Sequence, residues 1–356
     1  MKTVLVAMSG GVDSSVAAAL LKEQGYSVIG ITMQIWPDSQ SADGCCSLSA
    51  VEDARRVADK LKIPHYVLNF KDYFFKTVVE DFINEYKNGR TPNPCVRCNQ
   101  FVKFDLLLKK EKELGADFLA TGHYAQIKCP ISNVQFPMKE FTLLKGKDKK
   151  KDQSYFLYVM GQEALRHTLF PVGNLAKAQV RKLAAKYKLP VANKAESQEI
   201  CFVPDNNYAG FLKKYIPQSF KTGPIVDEQG RELGRHKGII HYTVGQRKGL
   251  GLSGGPWYVI KIDKNSNTII VDKRNKTFGK EVYSSKFNWI SGIVSKKPIK
   301  GSAKIRYNSP DSQATLITEK NGKVKIIFKN PQKAITPGQS VVFYQKNMVI
   351  GGGVID

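Results

Sequence analysis

The stretch that decides the fold is Met8-Ser9-Gly10-Gly11-Val12-Asp13-Ser14-Ser15. It follows the apolar run 3–7, which is typical of a buried strand, and precedes the apolar run 16–21, which is typical of a helix. The two glycines allow the backbone to approach a ligand closely, and the start of a helix presents unpaired N–H groups. Together with the serine hydroxyls, these groups favour an anion, and phosphate is the expected one.

This glycine loop differs from two better-known phosphate loops. The P-loop of kinases and GTPases ends in Gly-Lys-Ser or Gly-Lys-Thr, and the dinucleotide-binding fingerprint needs a third glycine; this sequence has neither feature. Asp13 would repel a phosphate unless a divalent cation bridged the two groups, so the loop predicts a site for pyrophosphate and a divalent cation. The alternative is an ordinary strand-to-helix turn without a ligand.

Apolar patterns alternate between strand and helix through the first third of the chain. The predicted strands are 3–8, 27–33, 66–70 and 118–121, and the predicted helices are 14–24, 49–61, 74–89 and 100–114. Such alternation is typical of a parallel sheet with helices on both faces and a ligand at the carboxyl ends of its strands. The glycine loop lies at such an end, so the sequence predicts a Rossmann-like α/β domain.

The pattern changes after Gly122. A hairpin is predicted over 124–128 and 140–144, followed by the basic segment 145–153 and by helices over 155–160 and 177–188. From about residue 207 helices become scarce, and short β runs separated by turns suggest a small barrel or sandwich near the C-terminus. We therefore predict three domains, which are 1–205, 206–280 and 281–356.

The composition is strongly basic. The 356 residues include 55 Lys and Arg against 31 Asp and Glu, a net charge of +24, and the isoelectric point is about 9.6. This excess of positive charge favours a polyanionic partner. The alternative is that the chain comes from a Lys-rich proteome, in which the charge is only a property of the solvated surface. Early glycines interrupt any signal-peptide core, and no apolar run approaches the ~18 residues of a membrane span. We therefore predict a cytoplasmic protein with no membrane partner.

A second informative stretch is 89–99, Gly-Arg-Thr-Pro-Asn-Pro-Cys-Val-Arg-Cys-Asn. Asn99 is a predicted N-cap, which would put Cys98 at the positive end of a helix dipole beside Arg97, and both effects favour a reactive thiolate. The alternatives are a buried, inert cysteine and half of a zinc site. In a cytosolic chain the cysteines are poor candidates for structural disulfides. They are Cys45, Cys46, Cys95, Cys98, Cys129 and Cys201.

Six stretches together carry a close resemblance to a known family. They are 9–15 (Ser-Gly-Gly-Val-Asp-Ser-Ser), 92–99 (Pro-Asn-Pro-Cys-Val-Arg-Cys-Asn), 120–124 (Ala-Thr-Gly-His-Tyr), 151–155 (Lys-Asp-Gln-Ser-Tyr), 197–202 (Ser-Gln-Glu-Ile-Cys-Phe) and 241–251 (His-Tyr-Thr-Val-Gly-Gln-Arg-Lys-Gly-Leu-Gly). In this order and spacing they resemble the signatures of the bacterial tRNA-specific 2-thiouridylases, whose glycine loop is that of ATP pyrophosphatases. The resemblance covers nearly the whole chain.

The resemblance implies an enzyme that uses ATP to replace O2 of the wobble uridine in tRNA with sulfur. It implies a PP-loop ATP pyrophosphatase domain with a Rossmann-like parallel sheet, a small β-rich central domain, and a C-terminal β-barrel that helps to bind tRNA. ATP and Mg²⁺ are the implied cofactors, and no side chain is assigned to a resident metal. The implied partners are tRNA and a cysteine desulfurase or sulfur-relay protein as persulfide donor. The expected state is a monomer.

The resemblance also implies roles for individual residues. Cys98 resembles the catalytic cysteine, and Cys201 the cysteine that carries the persulfide. The residues implied to bind ATP are Ala7, Met8, Ser9, Gly10, Gly11, Val12, Asp13, Ser14, Met33 and Gly122. The residues implied to contact tRNA or its target base are Asn93, Pro94, Cys95, His123, Lys151, Asp152, Gln153, Arg306, Tyr307 and Gln339. Some family members have Asp at the position of Cys95, so its chemical role is left unassigned.

Our hypothesis for the chemistry is adenylation followed by sulfur transfer. Adenylation of the C2 oxygen converts a poor leaving group into AMP, while the glycine loop and Mg²⁺ stabilise pyrophosphate. The persulfide on Cys201 then attacks C2 directly, or its sulfur is released by Cys98, and an external reductant opens the resulting Cys98–Cys201 disulfide. The wobble base must leave the anticodon stack to react, as single-stranded loop bases can.

Three alternatives stay open. The first is a small-molecule ligase with the same adenylating fold, although we find no candidate amidotransferase portion and the C-terminal third is basic and β-rich. The second is a non-catalytic RNA-binding module, against which the complete glycine loop and both family cysteines argue. The third changes the cofactor, because Cys95, Cys98 and Cys201 could supply three thiolates to an iron–sulfur cluster if they converge.

Overall fold

The structure is a computed structural model that describes residues 1–36, 48–129, 140–195, 200–203 and 206–356. Its strands are β1 (Thr3–Ala7), β2 (Ser27–Gln34), β3 (His65–Asn69), β4 (Phe118–Ala120), β5 (Ala125–Lys128), β6 (Thr142–Lys145), β7 (Thr168–Leu169), β8 (Gly223–Val226), β9 (Glu232–His236), β10 (Tyr258–Asp263), β11 (Thr268–Asp272), β12 (Phe278–Ser284), β13 (Phe287–Trp289), β14 (Ile299–Lys304), β15 (Ser312–Thr318), β16 (Val324–Lys333), β17 (Ser340–Gln345) and β18 (Met348–Val354).

The helices follow the same chain order. They are α1 (Val12–Glu23), α2 (Leu48–Leu61), α3 (Lys71–Phe74, Phe75–Val79 and Glu80–Lys87), α4 (Pro94–Arg97, Cys98–Leu106 and Leu107–Glu113), α5 (Gln162–Arg166), α6 (Lys177–Lys186) and α7 (Tyr208–Lys213). In α3 and α4 the middle segment is π-helical, and the three segments follow one another without a break. Short 3₁₀ turns lie at Ser154–Phe156, Pro217–Phe220, Ile239–His241 and Arg274–Thr277.

A parallel sheet in the order β3-β2-β1-β4-β7 forms the centre of the first part of the chain. Side chains of β1 alternate across it: Val4 and Val6 belong to one core with residues of α1, α2 and α6, whereas Leu5 and Ala7 belong to another with residues of α3 and α4. Because β2 and β4 run parallel to β1, the carboxyl ends of these strands lie at one edge. The predicted α/β domain is confirmed, and the glycine loop lies at that edge.

Two predicted helices differ from those in the structure. α4 begins at Pro94 rather than near residue 100, so the predicted start is wrong. The predicted helix over 155–160 is also wrong, because only Ser154–Phe156 forms a 3₁₀ turn. Tyr155 and Tyr158 each bond to Ser340 of β17, at 2.9 and 3.1 Å. This long-range anchoring, rather than local periodicity, determines the shape of the segment.

The remainder of the chain is β-rich, as predicted. β8 to β11 form a sheet in the order β10-β11-β8-β9, and β12 to β18 form an antiparallel sheet with Leu316, Ile326 and Phe343 in its core. The predicted hairpin is present as β5 and β6. It extends the C-terminal sheet, because Leu144 of β6 pairs with Met348 of β18. The first and last parts of the chain therefore share one sheet.

Some residues named in the sequence analysis lie outside the described ranges. They are Cys45, Cys46 and residues 197–199 of the motif around Cys201. The boundaries of the three domains, 1–205, 206–280 and 281–356, stay predictions. In the described parts of the chain, none of the helices has the length and apolar character needed to cross a membrane.

Candidate active site

The glycine loop, residues 8–11, joins β1 to α1 and has the shape of an anion cradle. Gly10 has a φ of +66°, a conformation that favours glycine, and a Cβ at this position would lie 2.2 Å from the carbonyl oxygen of Ala50. Gly11 is the N-cap of α1 and has no side chain to bond the first N–H groups of the helix. These N–H groups are the natural partners of an anion in the loop.

Gly122, just after β4, lies against the start of α1. A Cβ at this position would lie 2.5 Å from the backbone nitrogen of Ser14 and 2.7 Å from the carbonyl carbon of Asp13. Only glycine lets the two backbone segments approach so closely. Met33 lies near the end of β2 and packs, half-buried, against the core. The structure therefore brings the loop, Met33 and Gly122 to the carboxyl edge of the sheet.

Asp13 is paired with a lysine that the sequence did not single out. The ammonium group of Lys177, at the start of α6, donates to both carboxylate oxygens of Asp13, at 2.7 and 2.8 Å. The hydroxyl of Tyr124 donates to one of these oxygens at 2.7 Å. The ammonium group of Lys177 therefore offsets the charge of Asp13 in this structure, and the predicted divalent cation stays a prediction.

A second lysine contacts the loop itself. Lys194 donates to the carbonyl oxygen of Gly10 at 3.2 Å and pairs with Asp53 of α2 at 2.5 Å. Burial disfavours the charged form of Asp53, but hydrogen bonds and charges from Lys194 and Arg56 outweigh burial, so the pKa of Asp53 lies below its ordinary value. Two ammonium groups and the helix N-terminus thus surround the loop, an arrangement that suits a polyphosphate.

The cysteine helix α4 is capped by Asn93 and not by Asn99. The side-chain oxygen of Asn93 accepts from the backbone nitrogen of Val96 at 3.4 Å, and Pro94 occupies the first helical turn. The predicted cap at Asn99 is wrong, because its side chain is buried inside the helix and donates to the carbonyl oxygen of Phe156 at 3.2 Å. The rigid Asn-Pro pair therefore defines the start of the helix.

Because α4 begins at Pro94, Cys95 rather than Cys98 lies at the helix N-terminus. Cys95 is exposed in the first turn of α4, whereas Cys98 is half-buried in the second turn, where the π-helical segment begins. The helix dipole therefore favours the thiolate form of Cys95 rather than that of Cys98. Arg97, expected to act on Cys98, donates to Asp81 at 3.2 Å, which offsets part of its charge. Segments of π-helix are frequent at functional sites, and Cys98 lies at the start of one.

Cys201 is half-buried in a turn that its neighbour anchors. Phe202 lies in an aromatic cluster, with its ring centroid 5.2 Å from that of Phe82 and 5.5 Å from that of Phe211. Cys98 and Cys201 both pack against this same core. Among the residues that the structure describes, no group of three His, Cys, Asp or Glu side chains could hold a metal ion.

The candidate tRNA residues that follow β6 form hydrogen bonds within the protein. Asp152 is buried, and its carboxylate accepts from the backbone nitrogen of Gly146 at 2.9 Å. Gln153 accepts from the backbone nitrogen of Tyr124 at 2.9 Å. Both residues therefore shape the segment that carries Lys151, which is half-buried, and they link it to the tyrosine that bonds to Asp13.

Two candidate tRNA residues lie just after β14. The ring of Tyr307 has its centroid 4.6 Å from that of Phe156, beside the segment that carries Lys151. Arg306 donates to the carbonyl oxygen of Lys333 at 3.0 Å. The structure therefore brings candidate residues of the first and last parts of the chain together. Gln339 lies apart from them, beside the loop that leads to Asn93.

His123 is neutral at physiological pH. Its ring lies between Phe104 and Phe170, with centroids 6.0 and 5.9 Å away, and its Nδ1 is 2.6 Å from the hydroxyl of Thr121. Burial, reinforced by the charge of Lys103, lowers the pKa of His123 well below its ordinary value. A neutral ring can stack on a base or bond to it, but it offers no charge to a phosphate.

Comparisons with protein families define the class to which this fold and site belong. Residues 2–205 match a family model described as "tRNA methyl transferase HUP domain". Residues 209–273 match "tRNA methyl transferase PRC-barrel domain", and residues 279–355 match "Aminomethyltransferase beta-barrel domain". The protein thus has a HUP domain with a Rossmann-like parallel sheet, then a PRC-barrel domain and a β-barrel domain, which confirms the predicted fold class.

Individual relatives narrow the class to one family. The chain is 52% identical to the tRNA-specific 2-thiouridylase MnmA of Halothermothrix orenii over 360 residues, which cover 100% of this chain and 99% of the relative. It is 51% identical to the enzyme of the same name from Acetivibrio thermocellus, with 99% of each chain covered. The NMN synthetase of Francisella tularensis is a weaker likeness, with 17% identity, a TM-score of 0.35, and 59% of this chain and 72% of that chain covered. The chain belongs to the tRNA-specific 2-thiouridylase family.

Proposed function

We propose that the protein is a tRNA-uridine 2-sulfurtransferase. It adenylates the C2 oxygen of the wobble uridine with ATP and transfers sulfur from a cysteine persulfide, which yields 2-thiouridine, AMP and pyrophosphate. The observation that carries this proposal is the match of the whole chain to 2-thiouridylases at about half identity. The glycine loop, with its helix N-terminus and two lysines, supports the use of ATP.

The residues around the glycine loop fit the polyphosphate of ATP. A Cβ at Gly10 or at Gly122 would clash with backbone atoms. With glycine at both positions the loop remains narrow and its N–H groups remain accessible. Lys177 and Lys194 are the side chains that would neutralise phosphate charge. Mg²⁺ would supply further stabilisation of the departing pyrophosphate, and to hold it Asp13 would exchange its bonds to Lys177 for bonds to the cation. Lys177 and Tyr124 hold that carboxylate in a fixed orientation.

Cys98 and Cys201 carry the sulfur transfer in this proposal. The outer sulfur of a Cys201 persulfide attacks C2, the bond from C2 to the AMP oxygen breaks, and a C2–S–S–Cys201 linkage forms. The Cys98 thiolate then attacks the Cys201 sulfur, which breaks the S–S bond, leaves the 2-thio group on the base and forms a Cys98–Cys201 disulfide. An external dithiol reduces this disulfide and is itself oxidised. The anchoring of Cys201 by Phe202 supports its use as a defined carrier.

The proposed partners follow from charge and chemistry. The net charge of +24 suits tRNA, and exposed Lys149 and Lys150 lie next to the candidate residues Lys151, Asp152 and Gln153. A cysteine desulfurase or a sulfur-relay protein would load Cys201. We further propose that the enzyme acts in the cytoplasm and as a monomer.

The experiment that tests the function is nucleoside mass spectrometry on tRNA that lacks the wobble thiolation. The tRNA is incubated with the protein, ATP, Mg²⁺ and a persulfide donor. We expect 2-thiouridine to appear only when ATP and both cysteines are present, so Cys98→Ser and Cys201→Ser should each abolish it. AMP formation that needs no tRNA and yields no thiolation would instead identify a small-molecule ligase.

The same preparation tests the cofactor. Iron analysis of anaerobically purified protein distinguishes a persulfide mechanism from one that uses an iron–sulfur cluster at Cys95, Cys98 and Cys201. Colourless protein without iron that still forms 2-thiouridine would support the persulfide mechanism. Stoichiometric iron that is lost in Cys95→Ser would refute it.

A further inference from the structure

The loop that leads to the cysteine helix is bonded to the C-terminal β domain. The side-chain nitrogen of Gln339 donates to the carbonyl oxygens of Thr91 and Pro92, at 3.0 and 3.1 Å. The backbone nitrogen of Thr91 donates to the carbonyl oxygen of Pro337 at 3.0 Å. Three hydrogen bonds thus join two consecutive loop residues to a segment almost 250 positions later in the chain.

The contact is also tightly packed. Gly338 has a φ of +90°, and a Cβ at this position would lie 2.8 Å from the carbonyl oxygen of Thr91 and 2.9 Å from a carboxylate oxygen of Glu85. Arg90 donates to that same carboxylate oxygen at 2.8 Å and to the carbonyl oxygen of Ile355 at 2.9 Å. The segment 337–339 and the loop therefore fit together without space for an intervening side chain.

Thr91 and Pro92, the clamped residues that Gln339 bonds, lie directly before the N-cap of α4. Asn93, the N-cap of α4, follows Pro92, and Pro94 follows Asn93. Each proline fixes its own φ, so this short connection has little freedom to absorb a displacement. A shift of the clamped residues would consequently be transmitted to the first turns of α4, which carry Cys95 and Cys98.

We propose that Gln339 is a positioning residue for the cysteine helix. The side-chain nitrogen of Gln339 is used inside the protein, on two carbonyl oxygens of the loop. The C-terminal β domain thereby fixes the place of Cys98 before any tRNA binds. The side-chain oxygen of Gln339 takes no part in these bonds, so this role is compatible with the contact with tRNA that the family resemblance implies. The inference rests on the proposed function only where it treats Cys98 as catalytic.

The test measures Cys98 in the full-length protein without tRNA or ATP. Gln339→Glu keeps the side-chain shape but removes both donors, Gln339→Ala removes the group, and Gln339→Lys restores a donor. Each variant is pulse-labelled with iodoacetamide and digested with trypsin. Cleavage after Arg97 separates Cys98 from Cys95, and the exposed Cys129 on a third peptide is the internal control.

We expect Gln339→Glu and Gln339→Ala to label Cys98 about tenfold faster than the wild type, because the loss of two hydrogen bonds frees the half-buried thiol. Labelling of Cys129 should not change, the midpoint of thermal unfolding should fall only as far as the loss of two hydrogen bonds requires, and Gln339→Lys should return Cys98 towards the wild-type rate. With tRNA present, kcat should fall even at saturating tRNA, which a loss of tRNA affinity alone would not cause.

The opposite pattern would overturn the inference. Unchanged labelling of Cys98 together with weaker tRNA binding would assign Gln339 to tRNA contact alone. Faster labelling of every cysteine with a lower unfolding midpoint would assign it to general stability. Because the labelling step contains neither substrate, failure of the wild type to form 2-thiouridine would refute the proposed function without affecting this result.

Discussion

Replacing Gly122 by alanine tests the geometry of the proposed ATP site. The added Cβ would lie 2.5 Å from the backbone nitrogen of Ser14, 2.7 Å from the carbonyl carbon of Asp13 and 3.0 Å from the Cα of Ser14. All three neighbours are backbone atoms at the start of α1, so no flexible side chain can move aside. Relief requires the start of α1 to shift away by about 1 Å to restore ordinary carbon contact distances.

The displacement of α1 determines the expected changes in the free energy of unfolding and in the Kd for ATP. Overpacking of a well-packed site costs about 1–3 kcal/mol, so we expect the free energy of unfolding to fall by about 2 kcal/mol. The shift also carries the N–H groups of α1 away from the phosphates. Loss of one charge-assisted hydrogen bond costs about 1.5–3 kcal/mol, so the Kd for ATP should rise at least about tenfold.

The assay combines urea unfolding with calorimetric titration of a non-hydrolysable ATP analogue. Gly161→Ala is the matched control, because a Cβ there meets no atom within 4 Å. Gly161 is the N-cap of α5, so a loss of up to about 1 kcal/mol is expected, with no change in ATP affinity. If Gly122→Ala had the same free energy of unfolding and the same Kd for ATP as the wild type, Gly122 would not approach α1 as closely as the structure shows.

Three further predictions concern other parts of the molecule. Phe202→Ala should lower the free energy of unfolding by about 3–5 kcal/mol in urea titrations, because Phe202 is buried among aromatic rings; a loss below about 1 kcal/mol would contradict that packing. Replacing Lys149, Lys150 and Lys151 by Ala should weaken tRNA binding and reduce its salt dependence in filter-binding assays, whereas unchanged binding would identify a merely solvated loop. His123 has a folded-state pKa below 6.5, so below about pH 6.5 the unfolded chain binds a proton that the folded chain does not, and stability falls as the pH decreases. Urea unfolding at pH 7.5 and 5.5 should show a smaller loss for His123→Phe than for the wild type, and equal losses would refute a neutral His123.

Local signals in the sequence were sufficient for the glycine loop and the sheet around it. The strand is predicted by the apolar run 3–7, and the turn by Gly10 and Gly11 a few positions later. Each of these elements is therefore specified by residues that are close together in the sequence. The start of α4 was different, because Asn93 and Asn99 are both acceptable caps by residue type. The structure favours Asn93, whose neighbour Pro94 is well suited to the first helical turn and whose preceding residues are held by a distant segment.

The remaining site features depend on contacts between distant residues. Lys177 and Asp13 are 164 positions apart, and Lys194 and Asp53 are 141 positions apart. In a chain with 55 Lys and Arg, no spacing or composition distinguishes these two lysines from the others. The bond from Gln339 to Pro92 spans 247 positions and is equally invisible to local patterns. Such pairs emerge only when the sheets are assembled.

The pairing of β6 with β18 sets a condition on biosynthesis. The hairpin leaves the ribosome about 200 residues before its partner, which at about 5–20 residues per second corresponds to roughly 10–40 s of translation. During that interval the edge of β6 that later pairs with β18 is unpaired, and exposed edges recruit other strands. A nascent chain that terminates before Met348 would retain this edge permanently. The C-terminal β domain thus covers a strand edge of the first part of the chain, in addition to any part in handling tRNA.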